Sequence, residues 1–285
     1  PGMRSNIDVN GINDLLGPGG GSKLVARNAE AAIKVETGMK GVKIMNLMVS
    51  GGTEAKNIGI HFVGATDNGM LSNIIGINLH TGVKIEQAKN MQIVNCWVCE
   101  LPNSIELIGG ENIVVKNCQL GAQPTGITCK VQEVNKLSFI NNQVYPDGRE
   151  NLVLDACDNC VIEGNNFKSY YNGILVLNGN DNTVNKNIFW LTGAVQNQLL
   201  DHGDDFGIIN VKGNNNMVAS NSLSCEWAYA GAVTVNAVQG TGNVFKNCFV
   251  DNLESYRVFL VNAQTEVSNC VSSDKVNNLP IIYHY

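Results

Sequence analysis

The chain has 285 residues and a formal charge of −6; 44% of its residues are hydrophobic and only 15% are charged. Four arginines and a negative balance exclude the basic surface that nucleic-acid binding needs, and no apolar run is long enough to span a membrane. The 41 asparagines and 30 glycines argue against a helical bundle, because both residues are poor helix formers that favour turns.

One phrase recurs along the chain and reads apolar-x-apolar-x-Asn-x-x-apolar. Its clear copies are residues 42–49, 91–98, 113–120, 137–144, 182–189, 243–250 and 265–272, with weaker ones at 71–79, 160–167 and 216–223. The marker asparagines are Asn95, Asn117, Asn141, Asn165, Asn187, Asn221, Asn247 and Asn269. We expect them to form a column facing the interior, where stacked amides hydrogen-bond to each other and to the turn backbone.

A second phrase, Gly-apolar-x-apolar-x, falls between the copies of the first. It occupies residues 32–36, 59–63, 82–86, 104–108, 126–130, 151–155, 173–177, 207–211, 232–236 and 257–261. Its period of two is typical of a strand with one buried face. Leucine-rich repeats share the repeat length but not this consensus, and a β-propeller offers no such asparagine column.

These repeats predict an all-β fold, a parallel β-helix of about ten coils of 22–26 residues. We expect one domain over residues 1–285, with an N-terminal portion missing from the sequence. One 34-residue interval contains residues 192–206, which we interpret as an inserted loop.

The third and fifth positions of the second phrase are expected to face outward. The third positions are Lys34, His61, Lys84, Glu106, Thr128, Val153, Leu175, Ile209, Thr234 and Phe259; the fifth are Glu36, Val63, Glu86, Ile108, Lys130, Asp155, Leu177, Val211, Asn236 and Val261. The later part of this face is apolar, which predicts contact with a second copy or a covering segment. In the earlier part, Glu106 lies between Lys84 and Thr128 and is a candidate acid or base. A charge ladder that stabilises the stacked strands explains Glu106 equally well.

The positions of the cysteines indicate a role in packing the core more than a redox or metal-binding role. Cys96, Cys118, Cys248 and Cys270 each follow an asparagine in a similar phrase, which predicts a buried column in which cysteine acts as a small hydrophobe. We interpret Cys157-x-x-Cys160 as a plain turn, with a redox or metal role as the alternative, because no second CxxC or histidine pair accompanies it.

Pectin-acting chemistry is a weaker alternative. Asp204 and Asp205 in HGDDFGI resemble the paired acids of polygalacturonases, but the other motifs of those enzymes are absent. Calcium-dependent pectate lyases need several acids on adjacent coils and a catalytic arginine, for which only Arg149 is well placed. We therefore interpret the two aspartates as turn residues.

Several strings resemble the inulin fructotransferases, whose family also contains difructose dianhydride hydrolases. These strings are CELPNSIELIGG, QLGAQPTGIT, VYPDGRENL, ACDNCVIEGNNF, SYYNGILVLNG and GDDFGIINVKGNNNMVASNSL, in order between about residues 59 and 223. The resemblance implies a right-handed parallel β-helix and a homotrimer with pockets near the subunit contacts. It implies no metal or organic cofactor. The implied substrates are inulin, from which a difructose dianhydride is released without water, or that dianhydride, which is hydrolysed.

The resemblance also implies a catalytic pair, an aspartate followed eleven residues later by a glutamate. The glutamate matches Glu106, but the aspartate position holds Asn95, which cannot transfer a proton as a carboxyl group does. Three explanations remain open: an engineered inactive form, an acid role moved to a nearby carboxylate such as Glu100, or a diverged binding-only protein. The side chains expected to bind substrate are Lys84, His61, Thr128, Lys130, Arg149, Tyr145 and Tyr171.

We therefore expect an enzyme acting on fructose–fructose linkages, either a fructotransferase or a dianhydride hydrolase. A non-catalytic carbohydrate-binding β-helix is the alternative, favoured by Asn95. The thiols favour the cytoplasm for a hydrolase, whereas a fructotransferase would be secreted.

Overall fold

A computed structural model describes residues 8–10, 23–26, 29–51, 57–146, 149–170, 173–191, 207–225, 233–252, 257–272 and 282–284. The predicted loop at 192–206 lies outside these residues. Within the described part of the chain the secondary structure is entirely β, and no helix there is long and apolar enough to cross a bilayer.

The structure contains 26 strands joined by hydrogen bonds into one continuous sheet. They are β1 (Asp8–Asn10), β2 (Lys23–Ala26), β3 (Ala31–Val35), β4 (Lys43–Gly51), β5 (Ile58–Phe62), β6 (Met70–Ile77), β7 (Thr81–Val94), β8 (Trp97–Lys116), β9 (Gln119–Ile140), β10 (Gln143–Val144), β11 (Glu150–Asp155), β12 (Val161–Glu163), β13 (Asn166–Ser169), β14 (Leu175–Asn178), β15 (Thr183–Asn185), β16 (Ile188–Leu191), β17 (Ile209–Val211), β18 (Met217–Ala219), β19 (Ser222–Cys225), β20 (Val233–Ala237), β21 (Val244–Lys246), β22 (Phe249–Asn252), β23 (Arg257–Val261), β24 (Glu266–Ser268), β25 (Val271–Ser272) and β26 (Ile282–His284). Every pairing among them is parallel.

The strands wind into a parallel β-solenoid of about nine turns, which confirms the predicted architecture. Each coil contributes a segment to three faces. The first face is built by β12, β15, β18, β21 and β24, the second by β10, β13, β16, β19, β22 and β25, and the third by β3, β5, β11, β14, β17, β20, β23 and β26. The longer strands β4 and β6–β9 bend across corners and serve more than one face.

Stacked apolar columns fill the interior of the solenoid. On the third face one such column runs through Val83, Ile105, Cys129, Leu152, Leu175, Ile209, Val235 and Phe259, each in register with the next and each buried. Parallel stacking at about 4.8 Å brings equivalent side chains of successive coils into van der Waals contact. The hydrophobic core therefore extends along the whole axis of the described coils.

The predicted asparagine column resolves into two neighbouring columns. Asn95, Asn117, Asn141, Asn247 and Asn269 are exposed corner residues between the first and second faces, with φ values from 51° to 55°. Asparagine tolerates this left-handed conformation better than other non-glycine residues. The placement of these five residues in the interior was therefore wrong.

The buried amide ladder lies one step further along the chain, at Asn142, Asn165, Asn187 and Asn221. The Asn165 backbone N–H and side-chain amide both donate to Asn187 Oδ1, at 2.9 Å each, and Asn187 donates in the same way to Asn221 Oδ1. Each side-chain amide also donates to a backbone carbonyl, as from Asn187 Nδ2 to Ile162 O at 2.9 Å. A second ladder of the same kind joins Asn182, Asn216 and Asn243.

The predicted cysteine column continues the first ladder at both of its ends. Cys96 and Cys118 precede Asn142, and Cys248 and Cys270 follow Asn221; all four are buried. The Cys118 backbone N–H donates to Asn142 Oδ1 at 2.9 Å, which joins the two parts of the column. The sequence prediction for these four residues is confirmed.

We expect Asn187→Ala to destabilise the fold by roughly 2–4 kcal/mol, because two donors of Asn165 and the Ile162 carbonyl lose their buried partner. Urea unfolding monitored by circular dichroism measures the change. The matched control is Asn117→Gly, since glycine adopts the positive φ of that exposed corner and no ladder bond is removed. Equal destabilisation by the two substitutions would contradict a specific role for the ladder.

Candidate functional site

Charged side chains form a row along the outside of the third face. Lys34, His61, Lys84, Glu106 and Lys130 lie directly above one another on five successive coils. We call these five residues the charged row. It brings together four of the predicted site residues, with the half-buried Glu106 between Lys84 and Lys130.

Thr128 does not belong to this row. Its side chain is fully buried, and the residue in register with Glu106 is Lys130, which lies 24 positions further along the chain. The pairing of β8 with β9 is irregular between Val98 and Asn103, so the coils around Glu106 and Lys130 differ in length. This difference moves the column by two residues, from Thr128 to Lys130, and Thr128 is in line with the equally buried Ser104.

The predicted exposed apolar patch on the third face was wrong because of a slip of one residue. Leu175, Leu177, Ile209, Val211, Phe259 and Val261 are core residues, and of the predicted set only Val153 faces outward. Val153 is in register with Val176, one position from the residue that the sequence pattern assigned. A slip of a single residue exchanges the inner and outer faces of a strand.

A compact ion-pair cluster adjoins the row at Glu86. Lys84 Nζ lies 2.9 Å from Glu86 Oε1, and His61 Nε2 lies 3.3 Å from the same oxygen. His61 is only 4% exposed, and its Nδ1 lies 3.8 Å from Glu30 Oε1. The close Lys84 ammonium, and less strongly the nearby His61 ring, hold the pKa of the Glu86 carboxyl below its usual value against the opposing effect of burial. Neither nitrogen of the buried His61 ring has a hydrogen-bond partner among the described residues.

Sequence reasoning placed Glu86 on the outer face but did not single it out. The available signal was Lys84-x-Glu86, a cation and an anion two residues apart on one strand and therefore on the same side of it. Within the described part of the chain, the Glu106 carboxylate forms no such ion pair, since Lys84 is engaged with Glu86. Glu106 is thus free to meet a ligand.

Asn95 lies apart from the charged row. It is an exposed corner residue between the first and second faces, with φ of 55°, and its backbone N–H donates to Lys116 O at 3.1 Å. Glu106 is on the third face of the same coil. The structure therefore does not bring the two positions together on one face, and the local reason for asparagine at 95 is the left-handed corner.

The remaining predicted site residues fall near the corner between the second and third faces. Glu100 is exposed with φ of 61°, and the Tyr145 hydroxyl donates to Gln119 Oε1 at 3.2 Å on the second face. Arg149 Nε lies 3.7 Å from Glu150 Oε1. Burial raises the pKa of the Glu150 carboxyl, and Arg149 opposes that rise in part.

Two of the predicted features lie outside the described residues. These are Tyr171 and the acidic pair Asp204 and Asp205. Glu150, which the sequence reasoning passed over, is the carboxyl group whose pKa is raised at this corner.

Cys157 and Cys160 are buried, free thiols within a corner. Cys157 Sγ lies 3.3 Å from Asp155 O, and Cys160 Sγ lies 3.4 Å from Asp158 O. Burial raises the pKa of Cys157 to about 11 and that of Cys160 to about 12. Thiols of this kind are poor nucleophiles and poor metal ligands at neutral pH.

An exposed apolar column lies on the second face. Ile188, Phe249 and Val271 are 49%, 47% and 50% exposed, and Ser222 stands between Ile188 and Phe249 in the register. Large apolar side chains aligned in this way mark a contact surface more often than isolated ones do. This column is on a different face from the predicted patch and shares no residue with it.

Two protein-family models match the chain. One, described as right handed beta helix region, matches residues 125–284; the other, described as periplasmic copper-binding protein (NosD), matches residues 29–190. No curated protein matches the sequence.

Copper prefers cysteine, methionine and histidine ligands. Among the described residues no group of three or more His, Cys, Asp and Glu side chains is arranged to hold a metal ion.

Solved structures of DFA-IIIase from Arthrobacter chlorophenolicus A6 share the fold. The enzyme without its lid superposes with a TM-score of 0.76 at 20% identity, covering 92% of this chain and 78% of that chain. Its complex with GF2, also without the lid, gives 0.79 at 20% identity over 99% and 84%. A mutant in complex with DFA-III gives 0.76 at 19% identity over 99% and 85%.

We expect Cys157 and Cys160 to resist alkylation by iodoacetamide at pH 8 in the folded protein, because less than about 1% of either thiol is ionised there. Mass spectrometry of the peptide that carries both residues reads the modification. The same treatment in denaturant provides the control and should modify both thiols. Rapid modification of the native protein would contradict their burial.

Proposed function

We propose that this chain, which belongs to the right-handed β-helix families described by the two matching models, is a carbohydrate-active enzyme that cleaves fructose–fructose glycosidic linkages. The observation that carries the proposal is Glu106, an outward carboxylate in register with Lys84 and Lys130 and without an ion pair of its own among the described residues. Glu106 is also the residue that matches the glutamate of the inulin fructotransferases. The fold shared with DFA-IIIase complexes of GF2 and DFA-III is consistent with a fructan substrate.

Cleavage of a fructofuranosyl bond passes through a state with positive charge on the sugar ring. The bridging oxygen leaves as a hydroxyl, so a proton donor must reach it as the bond breaks. Glu106 serves as this donor in the proposed mechanism. The ammonium groups of Lys84 and Lys130, on the coils before and after it, bind sugar hydroxyls and fix the substrate along the row.

The two candidate activities differ in the group that attacks the anomeric carbon. In a fructotransferase a hydroxyl of the substrate attacks the anomeric carbon, and its high effective concentration replaces the activation of water. In a dianhydride hydrolase water attacks instead. Both reactions use the same proton donor, so the proposal covers both and the products distinguish them.

The natural test is incubation of the protein with inulin and with DFA-III, followed by chromatography of the products. Dianhydride from inulin identifies a fructotransferase, and inulobiose from DFA-III identifies a hydrolase. Binding of either sugar without turnover would support the non-catalytic alternative that Asn95 favours and would contradict the proposed function.

We expect Glu106→Gln to reduce kcat by about 10²- to 10⁴-fold, because the amide keeps the shape of the side chain but donates no acidic proton. Glu163→Gln is the matched control, since it removes a carboxylate that pairs with Lys186 at 3.0 Å on the first face, away from the charged row. Equal activity of the two variants would remove Glu106 from the mechanism.

The proposed enzyme assembles as a homotrimer, as the resemblance to the fructotransferases implies. The exposed column of Ile188, Phe249 and Val271 supports a subunit contact on the second face, since burying these side chains removes apolar surface from water.

We expect Phe249→Glu to convert the trimer to monomers, measured by light scattering after size exclusion, because it would bury an unpaired charge. Thr183→Glu on the first face is the control and should leave the mass unchanged. A wild-type protein that runs as a monomer would contradict this part of the proposal.

A further inference from the structure

The structure offers a second carboxylate beside Glu106, at Glu86. The two glutamates are on adjacent coils of the third face: Lys84 is in register with Glu106, and Glu86 lies two residues beyond Lys84, in register with Ile108. Strand rise and strand spacing put the two Cα atoms about 8 Å apart on the same outer side. The paired carboxyl groups of glycosidases are separated by roughly 5 to 9.5 Å, and two glutamate side chains that project to the same side from Cα atoms about 8 Å apart can reach that separation.

The surroundings of Glu86 differ from those of a simple surface ion pair. Its Oε1 receives Lys84 Nζ at 2.9 Å and lies 3.3 Å from Nε2 of the buried His61. The side chains of Glu86 and Lys84 are only 28% and 24% exposed, whereas those of Glu36 and Lys34, the equivalent pair two coils earlier, are 67% and 44% exposed. The Glu86 carboxylate is therefore paired with the Lys84 ammonium on the same strand and packed beside the buried His61 ring.

We propose that Glu86 is the second catalytic carboxylate of this site and acts as the base opposite Glu106, an inference that rests on the function proposed above. It supplies the group that the amide of Asn95 cannot supply. The residue at position 95 then takes no part in proton transfer. Its role is to adopt the left-handed conformation of the corner between the first and second faces.

The proton balance of the step is complete with these two groups. Glu106 gives its proton to the bridging oxygen as the bond from that oxygen to the anomeric carbon breaks. Glu86 takes the proton of the attacking hydroxyl, from water or from the substrate, as the new carbon–oxygen bond forms. Each turnover leaves Glu106 ionised and Glu86 protonated, and a proton passing through solvent from Glu86 to Glu106 restores the starting state.

His61 acts on this step through Glu86 and is a positioning residue. Its ring is buried between the carboxylates of Glu30, at 3.8 Å from Nδ1, and Glu86, at 3.3 Å from Nε2. The ring limits the space open to the Glu86 carboxylate on the side away from solvent.

The test compares Glu86→Gln with Glu36→Gln on DFA-III and inulin, after circular dichroism has verified that each variant is folded. We expect Glu86→Gln to lower kcat by about 10²- to 10⁴-fold with little change in KM. Glu36→Gln removes the carboxylate of the same kind of Lys-x-Glu pair, at the equivalent strand position, and should keep the wild-type kcat.

A second variant, Glu86→Ala, tests the chemical role directly. Azide needs no base to attack the anomeric carbon, so added sodium azide should restore turnover and yield a fructosyl azide. Loss of a merely structural carboxylate would not be rescued in this way.

The possible outcomes separate the inference from the function on which it rests. An active wild-type protein whose Glu86→Gln variant has the same kcat as Glu36→Gln would overturn the role of Glu86 alone. Loss of activity in Glu86→Gln without azide rescue of Glu86→Ala would also overturn it. A wild-type protein that converts neither sugar would overturn the proposed function and, with it, the catalytic pair.

Discussion

Coil-to-coil register is the constraint on which this molecule depends, and the buried asparagine amides enforce it. A parallel β-helix must bury polar backbone groups wherever its chain turns inside the stack, and an unpaired buried group costs about 1–3 kcal/mol. The ladder asparagines accept from the residue of the preceding coil and donate to a backbone carbonyl, as Asn165 and Asn187 do. These bonds form only when successive coils are aligned, so they select one stacking over all shifted ones.

Because the register between coils is fixed, residues that repeat along the sequence become neighbours on one face of the solenoid. Residues more than twenty positions apart become neighbours at about 4.8 Å, and the strand alternation decides which of them face out. Lys34, His61, Lys84, Glu106 and Lys130 have no proximity along the chain, but the stacking aligns them in one row. The side chains of adjacent coils then modify one another, as His61 does when it lowers the pKa of Glu86 on the next coil, together with Lys84 of the same strand as Glu86.

The repeat was sufficient to predict the architecture, because stacked parallel strands leave a strong period in the sequence. It was also sufficient for the charged row from Lys34 to Glu106, where the second phrase marks the same strand position in each coil. It failed at Thr128, where the column shifts by two residues to Lys130, and at Leu175, where a slip of one residue exchanges the inner and outer faces of the strand. The cluster around Glu86 could not be predicted, because its geometry depends on which of two partners the Lys84 ammonium meets.

In this solenoid, the number of residues between two ladder positions does not determine whether their coils stack in register. Asn187 and Asn221 are 34 residues apart, yet their side-chain bond of 3.1 Å matches the one between Asn165 and Asn187, which are 22 residues apart. A coil can therefore take up a dozen additional residues between two ladder positions without disturbing its neighbours. Such a scaffold can acquire new loops, and with them new substrate preferences, while the frame that carries the row of charges stays the same.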